Sequence, residues 1–235
     1  MKQILRIRGY LVLVAAIIIA IVGAFWFQDY LKYNNQDMIE TESEFLTVID
    51  RGLDEETQLI YDNIIAELEA SIASQGEEPK LNDLLQLGNA YNTVGQLTKA
   101  KETYGKILTR SSNDVPALEN LGTTLFLMED YYGAEEAWLL AAELSGSEPH
   151  ILKLVTLIND HIPEHKAQVK IILELAIDQL GQTPGFLAAL GEWYFEQEDF
   201  SRAVSHYQVA ADLAPDSQTL QIRLEEIRNA WKNAQ

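Results

Sequence analysis

Two histidines, His161 and His165, stand four residues apart, and Glu164 precedes the second. Side chains with this spacing can bind a metal ion. On a helix, side chains four residues apart lie on one face, so such a pair supplies two imidazole ligands to one ion. Pro163 stands between them and interrupts a helical face, and no third ligand is evident. The spacing therefore favours a turn between two helices, and no metal site is predicted.

Carboxylates and aromatic side chains occur together in EEAWLLAAE (135–143) and EWYFEQED (192–199), a combination that glycosidase clefts also use. Helix packing with solvated acidic faces accounts for both segments. Gly88, Gly122 and Gly191 each fall inside a predicted helix, so they form no phosphate-binding loop. The chain has no cysteine, which excludes thiol catalysis and cysteine-ligated zinc. The sequence therefore predicts no enzyme, no catalytic residue and no cofactor.

The charge of the chain excludes further classes of partner. The formal net charge is -19, and residues 34–235 carry 13 basic and 35 acidic side chains. A body this acidic repels phosphate backbones and anionic lipid headgroups. Neither nucleic acid nor a peripheral lipid surface is a predicted partner.

The N-terminal segment has a different composition. Three basic residues precede an uncharged run from Tyr10 to Phe27, which as a helix would span about 27 Å, close to the thickness of the hydrocarbon layer. Because basic residues stay on the cytoplasmic side, the rest of the chain is expected to be exported. The sequence predicts a basic cytoplasmic N-terminus (1–9), a transmembrane signal-anchor helix (10–28) and a spacer (29–53).

A cleaved signal peptide is the alternative interpretation, because Val22, Gly23 and Ala24 precede a possible cleavage site. The apolar run continues to Phe27 and exceeds the usual length of a signal peptide core, which favours the anchor. Under the anchor interpretation the body lies in the periplasm or on the outer face of the cytoplasmic membrane. Cleavage near Ala24 would instead release a secreted protein.

Residues 54–76 have the pattern of one amphipathic helix that leads into the remainder of the chain. Asp54 is a plausible N-cap. Apolar residues then recur every four positions, at Ile60, Ile64, Leu68 and Ile72.

From Leu81 onward a pattern of small and large residues recurs with a period of 34 residues. A Leu-Gly pair, a large apolar residue, an alanine and an aromatic residue stand at offsets 7, 8, 11, 20 and 24 of the unit. Small residues let two antiparallel helices approach closely, and the large ones fill the neighbouring space. The recurring residues are Leu87, Gly88, Tyr91, Ala100 and Tyr104, then Leu121, Gly122, Leu125, Ala134 and Trp138, then Leu190, Gly191, Tyr194, Ala203 and Tyr207.

In these residues the chain resembles the tetratricopeptide repeat (TPR) family, in a membrane-anchored bacterial envelope form. The resemblance implies an all-α fold, a right-handed superhelical solenoid of stacked helical hairpins behind one N-terminal transmembrane helix. One unit is degenerate, because Thr156 stands where glycine is expected and the unit has 35 residues. The predicted repeat domain is 81–217, divided into 81–114, 115–148, 149–183 (the degenerate unit) and 184–217, with a C-terminal capping helix at 218–235.

In this family the first helix of each hairpin lines a concave groove that binds a partner. Trp193 departs from the motif and is interpreted either as core filler or as an exposed anchor for the partner. By resemblance, the partner-binding groove comprises Asn82, Leu85, Asn89, Asn92, Glu119, Asn120, Thr123, Lys153, Ala188, Glu192, Phe195 and Glu196.

Some family members grip a C-terminal carboxylate with two asparagines and several basic residues. Asn89 and Asn120 match the two asparagines of that clamp. Leu85 stands where a lysine is needed, and His150 and Leu154 replace the remaining basic pair. The clamp is therefore incomplete in this sequence.

The predicted function is a membrane-tethered scaffold or adaptor that binds peptide segments of partner proteins in the bacterial envelope and assists complex assembly or protein biogenesis. The mixture of apolar, amide and acidic residues in the groove suits an extended or helical peptide with some basic character. The secreted adaptor is the alternative.

Overall fold

The computed structural model describes residues 45–235, in which ten α-helices and no strand occur. The predicted basic N-terminus (1–9), the predicted signal-anchor helix (10–28) and the spacer as far as residue 44 lie outside the described residues. Within residues 45–235, no helix combines the length and the apolarity needed to cross a bilayer. The helices are α1 (Glu55–Ser74), α2 (Leu81–Thr93), α3 (Leu97–Arg110), α4 (Val115–Leu127), α5 (Tyr131–Ser145), α6 (Glu148–His161), α7 (Lys166–Leu180), α8 (Pro184–Glu196), α9 (Phe200–Leu213) and α10 (Gln218–Asn233).

Eight of these helices pair into four hairpins, which we number one to four: α2 with α3, α4 with α5, α6 with α7, and α8 with α9. Each hairpin contacts the next through the second helix of one and the first helix of the other. Helix α1 packs against α2 at one end of the stack, and α10 packs against α9 at the other. The prediction of an all-α stack of helical hairpins is confirmed.

Short polar side chains fix where most helices begin. Six of the ten described helices start after an Asp, Thr or Ser whose side-chain oxygen accepts a hydrogen bond from the backbone N–H three residues further on, which satisfies a donor that the helix leaves unpaired. Asp54 caps α1 in this way, as predicted. The capping residues are Asp54, Asp114, Asp130, Thr183, Asp199 and Ser217.

A contact between a glycine and an aromatic ring sets the distance between the two helices of hairpins one, two and four. A methyl group on Gly88 would lie 2.6 Å from Cε1 of Tyr104, and one on Gly191 would lie 2.6 Å from Cδ2 of Tyr207. A methyl group on Gly122 would lie closer still to Cδ1 and Nε1 of Trp138. These glycines therefore have the role predicted for them, since a larger side chain would push the helices apart.

Hairpin three packs without this contact. Thr156 occupies the glycine position and is exposed, and Leu173 and Ala176 are buried on the second helix. The turn contains a 3₁₀ helix, Pro163–His165, which positions the start of α7. Aliphatic side chains fill this hairpin, which still stacks between α5 and α8.

The end of the predicted spacer is attached to the hairpins. Residues 46–51, which we call the strap, are non-helical and form main-chain hydrogen bonds to the turns of hairpins one and two. The scattered apolar residues of this segment have no helical or strand period, so the sequence carried no signal for its position.

The glycine contact predicts opposite effects for two similar substitutions. Gly122→Ala should lower the free energy of unfolding by about 1–3 kcal/mol, because the new methyl group would overlap the ring of Trp138. Gly105→Ala should raise it by about 0.5–1 kcal/mol, because this helical glycine of α3 has no atom within 4 Å of the added methyl group. Urea unfolding followed by far-UV circular dichroism measures both. Equal effects of the two substitutions would contradict the proposed spacing role.

Candidate functional site

The predicted groove residues lie on the first helix of each hairpin. Four are on α2, three on α4, one on α6 and four on α8. Polar contacts join α2 to α4 and α4 to α6 along this series, and join α8 to the capping helix α10. We call this series of helix faces the groove surface.

Helices α2 and α4 are joined by amide side chains. Asn120 Nδ2 donates to Asn89 Oδ1 at 2.9 Å, and Asn92 Nδ2 donates to Thr124 Oγ1 at 2.6 Å. Asn89 Oδ1 also accepts from the hydroxyl of Tyr104 at 2.7 Å. We call Asn89, Asn92, Asn120 and Thr124 the amide ladder. The two asparagines that match the carboxylate clamp, Asn89 and Asn120, are thus hydrogen-bonded to each other.

The amide ladder keeps part of its hydrogen-bonding capacity. The second amide atom of each asparagine, Asn89 Nδ2, Asn92 Oδ1 and Asn120 Oδ1, forms no hydrogen bond within residues 45–235. Asn82 lies exposed two turns before Asn89 on α2. This face therefore offers one amide donor and two amide acceptors, the chemistry that a peptide main chain pairs with.

Helices α4 and α6 are joined by one carboxylate. Glu119 accepts from Lys153 Nζ and contacts His150 Nε2, both at 3.1 Å. Burial raises the pKa of Glu119, but the hydrogen bonds from His150 and Lys153 outweigh it and hold the pKa below its usual value. Lys153 also lies 4.8 Å from the ring centre of Trp138, a cation–π contact.

Helices α8 and α10 are joined by a bidentate ion pair. Arg223 donates through Nε and a terminal nitrogen to the two carboxylate oxygens of Glu192, at 2.7 and 2.8 Å. Burial raises the pKa of Glu192, but hydrogen bonds from Arg223 and Tyr207 outweigh it and lower the pKa overall. The guanidinium carbon of Arg223 lies 4.7 Å from the ring centre of Phe195. The capping helix therefore takes part in the groove surface, which the sequence did not indicate.

The other predicted residues are placed as follows. Glu196 pairs with Lys166 at 3.6 Å. Thr123 donates to the carbonyl of Glu119 on its own helix at 3.0 Å, and Leu85 packs against the core of the first hairpin. Ala188 is half-buried on α8.

These contacts change the expected charge preference of the groove. Glu119, Glu192 and Glu196 each have a cationic partner within the chain. A paired carboxylate attracts a basic ligand less than an unpaired one does. The internal ion pairs therefore reduce the attraction of these three carboxylates for further cations.

Trp193 packs between helices. Its Nε1 donates to the carbonyl of Lys166 at 3.1 Å, and its half-buried ring meets Tyr194 edge to face at 5.2 Å. Of the two interpretations given to Trp193, these contacts support core filler.

The two spaced histidines face different partners. His161 ends α6 and stacks on Tyr131 with ring centres 4.1 Å apart, whereas His165 Nδ1 lies 2.9 Å from Glu135. Burial raises the pKa of Glu135, and the contact with His165 offsets part of that rise. Within residues 45–235, no group of three or more His, Cys, Asp or Glu side chains could hold a metal ion.

The ion pair at Glu192 predicts a pH dependence. A carboxyl group with a lowered pKa in the folded state adds stability above its unfolded pKa of about 4.3, and that stability is lost as the pH falls through the folded value. Glu192→Gln should lower the free energy of unfolding at pH 7 by about 1 kcal/mol, because both partners are about one third exposed. At pH 3 the difference from the parent protein should shrink. Urea unfolding at the two pH values measures it, with the exposed Glu67→Gln on α1 as control, and a difference independent of pH would contradict the prediction.

Comparison with known proteins agrees with this architecture. Residues 84–114 match the model of the tetratricopeptide repeat. No curated protein matches the chain. Among solved structures, MamA is 19% identical with a TM-score of 0.55, and the match covers 70% of this chain and 96% of that one.

A second similar structure is YrrB, described as a TPR protein with an unusual peptide-binding site. It is 17% identical with a TM-score of 0.52, and the match covers 71% of this chain and 84% of that one. At these identities the likeness concerns the fold. The chain therefore contains a tetratricopeptide repeat at residues 84–114, and its stacked hairpins have the fold of tetratricopeptide repeat proteins.

Proposed function

We propose that this protein is a scaffold that binds an extended peptide segment of a partner protein along its groove surface. The amide ladder of α2 and α4 is the observation that carries the proposal. Its three unpaired amide atoms suit a main chain, whose N–H and C=O groups alternate along an extended peptide. Binding of this kind depends on the backbone of the ligand and tolerates many side chains.

On α8, at the other end of the groove surface, aromatic side chains replace the amides. Phe195 is half-buried, meets Phe200 edge to face at 5.6 Å, and is covered on one side by Arg223. An apolar or aromatic side chain of the ligand would pack beside these rings. We therefore expect a ligand whose main chain binds near α2 and α4 and whose apolar residue lies near α8.

The similarity to YrrB supports the proposal, because that protein shares the fold and is described as having a peptide-binding site. The internal pairing of Glu119, Glu192 and Glu196 also supports it, since a groove with satisfied charges selects neither strongly acidic nor strongly basic peptides.

Selection from a displayed library of random peptides tests the proposal. Peptides enriched on the parent protein should bind Asn92→Ala about fivefold to tenfold more weakly, because a hydrogen bond to the ligand is lost together with the bond from Asn92 to Thr124. Asn229→Ala, at an exposed position of α10, should leave the affinity unchanged. An absence of enriched peptides, or equal affinity for the parent and Asn92→Ala, would sink the proposal.

Membrane attachment through residues 10–28, with the hairpins outside the cytoplasm, is the second part of the proposed function. The uncharged run behind a basic N-terminus supports it. Such a scaffold would collect partner proteins at the bacterial envelope and assist their assembly or biogenesis.

Fractionation tests the attachment. The protein should remain in the membrane pellet after an alkaline carbonate wash, because a spanning helix is held by the bilayer. Recovery in the supernatant with a mature N-terminus at Phe25 would instead identify the secreted adaptor.

A further inference from the structure

The strap crosses the turns of hairpins one and two through its main chain. The N–H of Ile49 donates to the carbonyl of Gly95, and the N–H of Leu46 donates to the carbonyl of Met128, both at 3.1 Å. The N–H of Thr98 returns a bond to the carbonyl of Thr47 at 3.2 Å. Gly95 lies in the turn of hairpin one and Met128 in the turn of hairpin two, so the strap joins the two hairpins.

Side chains contribute little to this attachment. Val48 is 66% exposed and Leu46 is 43% exposed. Gly95 has a φ of +78°, and a methyl group there would overlap the carbonyl oxygen of Ile49. Glycine therefore meets two requirements at this turn, a left-handed backbone and room for the strap.

The amide ladder joins the same two hairpins at a different place. Its hydrogen bonds link α2 to α4, whereas the strap links the turn after α2 to the turn after α4. The strap and the amide ladder both connect hairpins one and two, so both depend on the angle between these two hairpins. If the strap and the amide ladder require the same angle, a change that stabilises one of them therefore stabilises the other.

We propose that the strap is a clasp that holds hairpins one and two at the angle the amide ladder requires, so that strap attachment and peptide binding strengthen each other. The proposal rests on the proposed function for its binding effect. Its mechanical effect, a narrower range of angles between the two hairpins, is independent of any ligand.

The attachment is suited to reversible release. Of the three apolar side chains of the strap, Leu46 and Val48 are exposed and Ile49 is half-buried, so the strap buries little apolar surface. Beside it, the side-chain oxygens Gln96 Oε1 and Thr98 Oγ1 are buried without a hydrogen-bond partner among the described residues. Water that reaches this turn when the strap leaves can satisfy both oxygens, which offsets part of the main-chain bonding that is lost.

A matched pair of glycine substitutions in the full chain releases the strap selectively. Gly95→Ala places a methyl group against the strap, whereas Gly76→Ala has a nearly equal φ of +79° and open space around it. Both variants carry the same backbone strain, and only the first meets Ile49. By native-state hydrogen exchange, the amides of Ile49 and Thr98 should exchange about tenfold faster in Gly95→Ala and at the parental rate in Gly76→Ala.

A second pair removes a hydrogen bond and leaves the turn intact. Ile49→Pro deletes the donor to Gly95, whereas Val48→Pro deletes an N–H that forms no hydrogen bond within the described residues. Agreement between Gly95→Ala and Ile49→Pro would assign the effect to the strap, since the two variants alter different segments.

The mechanical effect is measured without a ligand. The chain has no cysteine, so spin labels on introduced cysteines at exposed Lys106 of α3 and Glu143 of α5 report on hairpins one and two alone. Electron–electron double resonance should give a broader distance distribution in Gly95→Ala and Ile49→Pro than in their controls. For a peptide selected on the parent protein, affinity should fall about fivefold in the same two variants.

The outcomes separate the two proposals. If amide exchange becomes faster while the distance distribution and the peptide affinity stay unchanged, the clasp proposal is wrong. The proposed peptide-binding function is not affected by that result. Failure of every peptide to bind the parent protein overturns the proposed function, and the distance distribution then decides the clasp alone. A Thr98 amide that stays protected in both Gly95→Ala and Ile49→Pro also overturns it, because the strap would then be held by other contacts.

Discussion

In hairpins one, two and four a glycine of the first helix lies against an aromatic ring of the second, and each ring carries a polar end that reaches the groove surface. The Tyr104 hydroxyl donates to Asn89, and the Tyr207 hydroxyl donates to Glu192. Trp138 Nε1 donates to the carbonyl of Glu119 at 3.1 Å. The side chain that spaces the helices thus also orients a groove residue. In place of Tyr104 or Tyr207, phenylalanine would fill nearly the same space and leave the groove residue without this partner.

These aromatic side chains position the helices through local signals and the groove residues through distant contacts. The hairpins could therefore be predicted from the sequence more fully than the contacts of the groove residues. The 34-residue period, the glycines and the caps are local signals, so they located the hairpins. The partners of the groove residues are distant in sequence, and they lie at separations of 31, 32 and 34 residues, close to one repeat. A search for complementary polar side chains within two residues of one period would have found Asn92 with Thr124 and Glu119 with Lys153.

Two features gave no such signal. Arg223 lies on the capping helix, beyond the last predicted repeat, so the repeat motif did not point to it, although its separation of 31 residues from Glu192 equals that between Asn89 and Asn120. The strap attaches through main-chain groups, whose positions the side-chain sequence does not encode. Only the left-handed Gly95, pressed against Ile49, marks the place where the strap passes.

Hairpin three shows what the absence of the glycine contact permits. Thr156 is exposed and donates to the carbonyl of Leu152 on its own helix, so the distance between α6 and α7 is set by aliphatic packing and by the turn at Pro163. Aliphatic contacts adjust more readily to a change in length than a ring against a backbone does. The extra residue of this unit therefore lies in the hairpin whose interhelical distance is least constrained. Insertions and deletions introduced by protein engineering should be accommodated there before they are accommodated in the neighbouring hairpins.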